Sequence, residues 1–314
     1  MSSTTLTAPV ADAPRAPLNK KALTSDHPTW CPGCGDFAVL AAYMKVLEKL
    51  GYKQENIVSM GGIGCSSRLP YFVNTYGGHF IHGRVLPFSV GVSLGRDDLH
   101  VFAFGGDGDG FSIGGNHLFH SARKNTNLTY VIMDNSVYGL TKKQTSPTSP
   151  IGFKSKTDPW GAFDRPVNPM RTLLNAGATF VARTHAVQIA HMTDMIERAA
   201  RHNGFSVVEV LSECVEFNDG AYDGAIPRKG GAFKTIDLKK NDGSPEDAAR
   251  HDPTDEAAAY ALASQDFPGS FGVFYQVSRP TKNELERDLI KRTQEKTKGA
   301  GALQLLQGTF AKLR

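Results

Sequence analysis

The chain has 314 residues, 40% of them hydrophobic and 21% charged, which is enough ordinary globular sequence for one large α/β domain or two smaller ones. A net charge of +4 and a pI near 8.8 are too mild to point to nucleic acid, though they suit an acidic protein partner. No apolar run reaches membrane-spanning length, and the opening MSSTTLTAPVADAPRAPL lacks the apolar core of a signal peptide, so residues 1–22 read as a disordered leader to a cytoplasmic protein.

The first patterned stretch is Thr29-Trp30-Cys31-Pro32-Gly33-Cys34-Gly35-Asp36. A helix is predicted over 37–50, because Phe37, Leu40, Tyr43, Met44, Leu47 and Leu50 share one stripe and Gly51 supplies a stop. A C-x-x-C at a helix start suggests a thioredoxin-like redox pair, but that arrangement needs a strand just before it. Residues 19–28 are mostly polar and carry a proline. A short strand at 55–60 then runs into Gly61-Gly62-Ile63-Gly64-Cys65-Ser66-Ser67-Arg68, whose glycines allow the backbone to lie against a bulky ligand. His79-Phe80-Ile81-His82-Gly83-Arg84 follows, and His79 and His117 are given structural roles.

The centre of the chain is 100–141. An apolar strand (100–104) ends in Gly105-Gly106-Asp107-Gly108-Asp109-Gly110, a helix-length segment follows, and a second strand (128–133) ends in Asp134-Asn135. Both polar tips fall at the carboxyl ends of parallel strands, the edge where open α/β sheets bind ligands. Glycines before a helix start favour a phosphate. Asp107 and Asn135, 28 positions apart, offer oxygens to Mg²⁺, which takes few protein ligands and fills its octahedron with phosphate and water. An EF-hand opening at Asp107 fails, since its sixth and twelfth positions are Ser112 and Leu118 rather than Gly and Glu. A dinucleotide fingerprint fails as well, because no G-x-G-x-x-G follows Phe104.

Beyond lie a long loop (146–167), a helix (168–176), a strand (179–182), an amphipathic helix (188–201) and the strand 205–211, expected to close the sheet. The alternation predicts an α/β doubly wound parallel sheet. Residues 216–256 read as an aperiodic loop extension, 255–263 as a helix capped by Thr254, 271–277 as a β segment and 281–296 as a charged helix. The domain division is therefore 23–215 for the ligand-binding domain and 216–314 for an extension packed on it and on a partner. Residues 281–314 hold eight Lys/Arg against four Asp/Glu, a solvated face or a docking face for an acidic carrier.

The four cysteines, Cys31, Cys34, Cys65 and Cys214, each stand at an end of a predicted element. Disulfides are disfavoured in a cytoplasmic protein. A pair, one cysteine 31 positions later and one far downstream is not the paired-knuckle pattern of zinc, nor the contiguous run of bacterial ferredoxins. Spacing alone leaves zinc, an iron–sulfur cluster and buried thiols open.

Gly106-Asp107-Gly108 followed by an Asn-terminated strand resembles the thiamine diphosphate signature, and Tyr138-Gly139-Leu140-Thr141-Lys142 narrows the match. Over residues 25–280 the chain resembles the β subunit of two-subunit 2-oxoacid:ferredoxin oxidoreductases. The resemblance implies that Cys31, Cys34, Cys65 and Cys214 hold one [4Fe-4S] cluster. It implies Mg²⁺ on Asp107, Asn135 and the Val137 carbonyl. Thiamine diphosphate would then lie among Ile63, Gly64, Cys65, Ser66, His82, Gly83, Gly106, Asp107, Gly108, Asp109, Asn135, Gly139 and Leu140, with Arg84 adding positive charge. Arg68 resembles a binder for the distal carboxylate of a dicarboxylic oxoacid, and Lys142 a helper at the carboxylate or CoA end. Lys143 departs from the family's usual Gly. The implied activity is oxidative decarboxylation of a 2-oxoacid, with 2-oxoglutarate to succinyl-CoA favoured, using CoA and ferredoxin and reversible as carboxylation. Pyruvate or a branched-chain oxoacid, or a non-redox carboligase carrying zinc, are the alternatives. With room for only one α/β core, the chain should rely on an α subunit for the pyrimidine-binding domain and its catalytic Glu, in a dimer of heterodimers.

Overall fold

Successive side chains of a strand face opposite sides, so a sheet covered on both faces needs apolar residues at nearly every position. Leu128–Asp134 and Phe205–Leu211 satisfy this and are buried along their whole length. The structure, a computed structural model, describes residues 17–240, 242, 244–297 and 300–312. In chain order its elements are α1 (Lys20–Leu23), α2 (Asp36–Leu50), β1 (Ile57–Gly61), β2 (Tyr76–His79), α3 (Val85–Gly95), β3 (His100–Gly106), α4 (Gly115–Lys124), β4 (Leu128–Asp134) and α5 (Pro169–Asn175). These are followed by β5 (Phe180–His185), α6 (Ile189–Arg201), β6 (Phe205–Leu211), β7 (Lys234–Thr235), α7 (Pro245–Ala248), α8 (Glu256–Ala263), β8 (Ser270–Gln276), α9 (Lys282–Lys296) and α10 (Ala302–Lys312).

The strands form one sheet in the order β2-β1-β3-β4-β6-β5-β8-β7. Every pairing is parallel except β5 with β8, which is antiparallel with an irregularity at Val181/Ala182. The α/β sheet expected from the sequence is thus present as a mostly parallel mixed sheet. The expectation that 205–211 closes it is corrected: β6 is internal, and β8 carries the sheet onward beside β5 because Phe271, Val273 and Phe274 bury their side chains there.

Two cores sandwich the sheet. Phe102, Phe104, Val131, Met133, Val208 and Val210 face α2 and α6. Val101, Ala103, Tyr130, Ile132 and Val207 face the opposite way, toward α3, α4, α5 and α8. Each buried Val, Ile, Phe or Met among them contributes about 1.5–3 kcal/mol. Helix α2 begins on Gly35, which has no side chain to cap it, because a Cβ there would stand 2.6 Å from Ser212 Oγ. It ends on Gly51 in the left-handed conformation, φ +64°, as the sequence suggests. Helix α8 is capped by Asp255, which accepts from the Ala258 amide, and not by Thr254, whose hydroxyl donates to Asp252 instead. Of the expected leader, residues 1–16 lie outside the described residues, while α1 belongs to the fold through fully buried Leu23. Among the described residues no helix is long and apolar enough to cross a membrane.

Because β1, β3, β4 and β6 are direct neighbours in parallel register, their carboxyl ends share one edge. Gly61–Cys65, Gly106–Asp109, Asp134–Asn135 and Leu211–Cys214 all emerge there.

Candidate functional site

The turn after β3 is built for close approach. Gly108 opens a π-helical turn (Gly108–Ile113) leading into α4, and a Cβ on it would lie 2.1 Å from the Tyr138 ring. Gly83 takes φ +69°, and a Cβ there would meet the Gly114 amide at 2.6 Å. Asp109 ties the three loops together. Its Oδ1 accepts from the amides of Ile63 (3.0 Å) and Gly83 (2.8 Å), with His82 Nδ1 3.0 Å away. The His82 contact is an ion-pair distance only, since its geometry makes no hydrogen bond.

Asp107 is buried, and its Oδ2 accepts from the Thr148 hydroxyl at 2.8 Å. The same hydroxyl reaches Asp134 Oδ1 at 2.9 Å, which also accepts from the Ser136 amide and the Tyr222 hydroxyl. Burial, and then the neighbouring Asp134, push the Asp107 carboxyl up to about 7. Two buried carboxylates with no Lys, Arg or His paired to either among the described residues are a site that suits a hard cation. Asn135 Oδ1 accepts from the Val137 amide at 3.2 Å, which fixes the side chain while leaving a lone pair, and Asn218 donates to the Asn135 carbonyl.

The cysteines gather on the same edge. Trp30, packed edge-on to Phe37 and Phe72, donates its indole N–H to the Cys65 carbonyl at 2.7 Å, binding the first two cysteine loci together. Burial, then the adjacent Asp36, push Cys34 well up and Cys65 to about 11; burial also raises Cys214. Cys65 and Cys214 lie within electrostatic reach of each other and of both Cys31 and Cys34. Asp36 is itself buried, accepts from Ser212 at 2.7 Å and is pushed up to about 6 by burial. Thiolates are disfavoured here without positive charge, so the donor set suits a cationic centre. Among the described residues no three His, Cys, Asp or Glu side chains are grouped tightly enough for a single metal ion. Gly139 joins the two halves: a Cβ on it would stand 3.4 Å from Cys214 Sγ and 3.9 Å from both Cys65 Sγ and Asn135 Nδ2.

Of the residues expected to bind cofactor, Ile63, Gly64, Cys65, Ser66, His82, Gly106 to Asp109, Asn135, Val137, Gly139 and Leu140 line one open cavity of about 80 Å³. Gly83 supports it from behind through Asp109. Arg68 and Lys142 stand beside it rather than in its wall. Lys142 and Lys143 take φ +70° and +72°, so Lys143 holds a backbone conformation natural to glycine. Arg84 donates to the carbonyls of Gly83 and Ile113, beside the expected cofactor loop. A larger cavity of about 370 Å³ opens at the amino-terminal edge, among Tyr52, His100 and His202, but no thiol or carboxylate lines it. Asp134, Thr148, Tyr222, Asp36 and Trp30 were not singled out from sequence. Only the Asp-Asn pair at the end of β4 hinted at the first of them.

A fold of this kind, with Gly-Asp-Gly and Asn tips on neighbouring strands, is that of a thiamine diphosphate enzyme. Residues 62–210 match the family "Thiamine pyrophosphate enzyme, C-terminal TPP binding domain". The chain is 38% identical to the 2-oxoglutarate oxidoreductase subunit KorB of Mycobacterium tuberculosis, over 92% of this chain and 87% of that one. It is 38% identical to the 2-oxoacid:ferredoxin oxidoreductase 1 β subunit of Aeropyrum pernix, over 84% and 81%. Among solved structures it resembles a 2-oxoglutarate:ferredoxin oxidoreductase from Magnetococcus marinus, determined with 2-oxoglutarate, coenzyme A and succinyl-CoA bound (TM-score 0.79, 37% identity, 90% and 91% coverage). The chain belongs to the β subunits of the 2-oxoacid:ferredoxin oxidoreductases.

Proposed function

We propose that the chain carries thiamine diphosphate, Mg²⁺ and one [4Fe-4S] cluster, and that with an α subunit it converts 2-oxoglutarate and CoA to succinyl-CoA and CO₂, reducing ferredoxin. When bound, thiamine diphosphate supplies the carbon nucleophile and electron sink for decarboxylation, and the cluster accepts electrons one at a time. The observation that carries this reading is Gly139, where a Cβ would lie within 4 Å of two cysteine sulfurs and of the Asn135 amide, so that one turn adjoins both groups.

Asp107, Asn135 and the Val137 carbonyl would hold Mg²⁺, with Thr148 orienting Asp107. The bare glycines at 106 and 108 would let amides approach the diphosphate. Cys31, Cys34, Cys65 and Cys214 would ligate the cluster, and the exposure of Cys31 supports electron exit past that ligand. Arg68 would grip the substrate's distal carboxylate and Lys142 the CoA or carboxylate end. The small cavity is only part of a cofactor pocket, which supports an active site completed by the α subunit and its catalytic Glu, in a dimer of heterodimers.

The test is an anaerobic visible spectrum with iron, sulfide, zinc and thiamine diphosphate assays on the purified complex. A broad band near roughly 400 nm, with about four iron and one thiamine diphosphate per chain, is expected. Zinc without iron would replace this reading with a non-redox carboligase. Iron without thiamine diphosphate would refute the roles given to Asp107 and Asn135.

A further inference from the structure

Among the described residues, two polar side chains on adjoining elements, one of them just beyond the cavity wall, lack a hydrogen-bond or ion-pair partner. Arg68 sits in the tight turn Ser66–Phe72, directly after the cavity-lining Cys65 and Ser66. It is half-buried, and among the described residues no carboxylate pairs with it. His79 ends β2 opposite Gly61, against the strand from which that turn departs. Its ring is tilted against Tyr71, a residue of the same turn, at 5.1 Å. Its Nε2 is buried and bonds to nothing. Burial, and then the nearby Arg68 cation, hold the ring below its ordinary pKa, so it is neutral with one N–H to give.

An orphaned buried ring nitrogen is costly, and so is a half-buried guanidinium with no counter-charge. One group cures both defects if it accepts from two directions and carries negative charge. A carboxylate does this, since it is acceptor-only with four lone-pair sites. Asp109 acts on the ring electrostatically but does not cure the defect: its Oδ1 accepts the amides of Ile63 and Gly83, and its Oδ2 makes no hydrogen bond to Nε2. The sequence gives His79 a structural role; its unpartnered Nε2 beside an unpaired Arg68 is what favours a ligand instead.

We propose that His79 is a specificity-determining residue, whose Nε2–H and the Arg68 guanidinium together hold the distal carboxylate of a five-carbon dicarboxylic 2-oxoacid. This rests on the substrate reading given above. Bound carboxylate selects the Nε2–H tautomer. A monocarboxylic substrate leaves both donors unmet and is rejected for that reason, as sites built to hydrogen-bond a substrate group reject analogues lacking it.

The experiment compares kcat/KM for 2-oxoglutarate and 2-oxopentanoate, its analogue ending in methyl, on the complete α/β complex as wild type, His79→Leu and His79→Gln. Iron and thiamine diphosphate contents are measured in each. The wild type is expected to prefer 2-oxoglutarate. His79→Leu is expected to lower kcat/KM for 2-oxoglutarate by about ten- to a hundredfold, mainly through KM, and to leave 2-oxopentanoate within about twofold. His79→Gln, whose amide N–H reaches a similar point, should recover part of the loss. An equal fall on both substrates, or no change on either, overturns the role of His79 while the wild-type preference keeps the substrate reading intact. A wild type indifferent to the distal carboxylate removes the substrate reading and this proposal with it.

Discussion

Asp109 offers the sharpest test of how the site is held together. One carboxylate oxygen accepts the Ile63 amide at 3.0 Å and the Gly83 amide at 2.8 Å, in a residue only 2% exposed. Asp109→Ala strands two donors out of reach of water. Each costs about 1–3 kcal/mol, so the variant should lose roughly 2–6 kcal/mol and release both loops. Asp109→Asn behaves differently. Its Oδ1 can keep both amides, and its Nδ2 takes the place of Oδ2, which bonds to nothing in the structure. The Tyr130 hydroxyl, also without a partner, lies across Gly105 from it: a Cβ on Gly105 would stand 2.4 Å from Tyr130 Oη and 3.1 Å from Asp109 Oδ2. The amide can donate to that hydroxyl, so the loss should stay within about 1 kcal/mol. Urea unfolding of the purified complex, followed by circular dichroism alongside a thiamine diphosphate titration, measures both effects. The Ala variant should unfold at a lower midpoint and bind cofactor weakly, with Asn near wild type. An Ala midpoint equal to wild type, or an Asn variant as damaged as Ala, would refute the hub.

Three other outcomes are expected. Gly108→Ala drives a methyl to 2.1 Å from the Tyr138 ring, so calorimetry should find Mg–thiamine diphosphate bound more than about tenfold more weakly while circular dichroism stays native. Thr148→Val removes the hydroxyl that bonds Asp107 and Asp134 at 2.8 and 2.9 Å, and Mg²⁺ affinity in the same titration should fall about tenfold. Burial holds His185 and His202 down to about 4, against 6.5 for the free side chain. The unfolded chain therefore binds more protons than the folded one between those values. Stability is full above about pH 6.5 and drains away as pH falls toward 4, and a His185→Gln, His202→Gln variant should flatten that decline in melting temperature.

Local pattern carried much of the architecture. The helix at 37–50 and the strand at 205–211 came from stripe and run, and the fold reproduces both within a residue. The region beyond 211 was harder. Strand β8 pairs antiparallel with a strand some ninety residues earlier, and nothing local in Ser270–Gln276 says which edge it will join. The same divide holds at the site. Asp107, Asn135 and the cysteines stand in compact motifs. Thr148 and Tyr222 reach Asp107 and Asp134 from distant loops, and no periodicity marks a hydroxyl whose partner lies 41 or 88 positions away. Helix α3 went unassigned because its run of Val, Leu and Gly has almost no polar face to betray a helical period. Arg84 shows the same limit: its side-chain partners, the carbonyls of Gly83 and Ile113, belong to two loops, and only one of them is its chain neighbour.

Gly139 has a consequence for how such a protein is made and how it fails. If the proposed cofactors are bound, the turn at Gly139 adjoins both, since a Cβ there would touch Cys65, Cys214 and Asn135. On the proposed function maturation should be ordered: protein lacking its iron should take up thiamine diphosphate poorly until the cluster is in place. Damage should run the same course backwards. Oxygen that strips the cluster should release the vitamin as well, so cofactor appearing free in solution would report oxidative injury before any loss of fold.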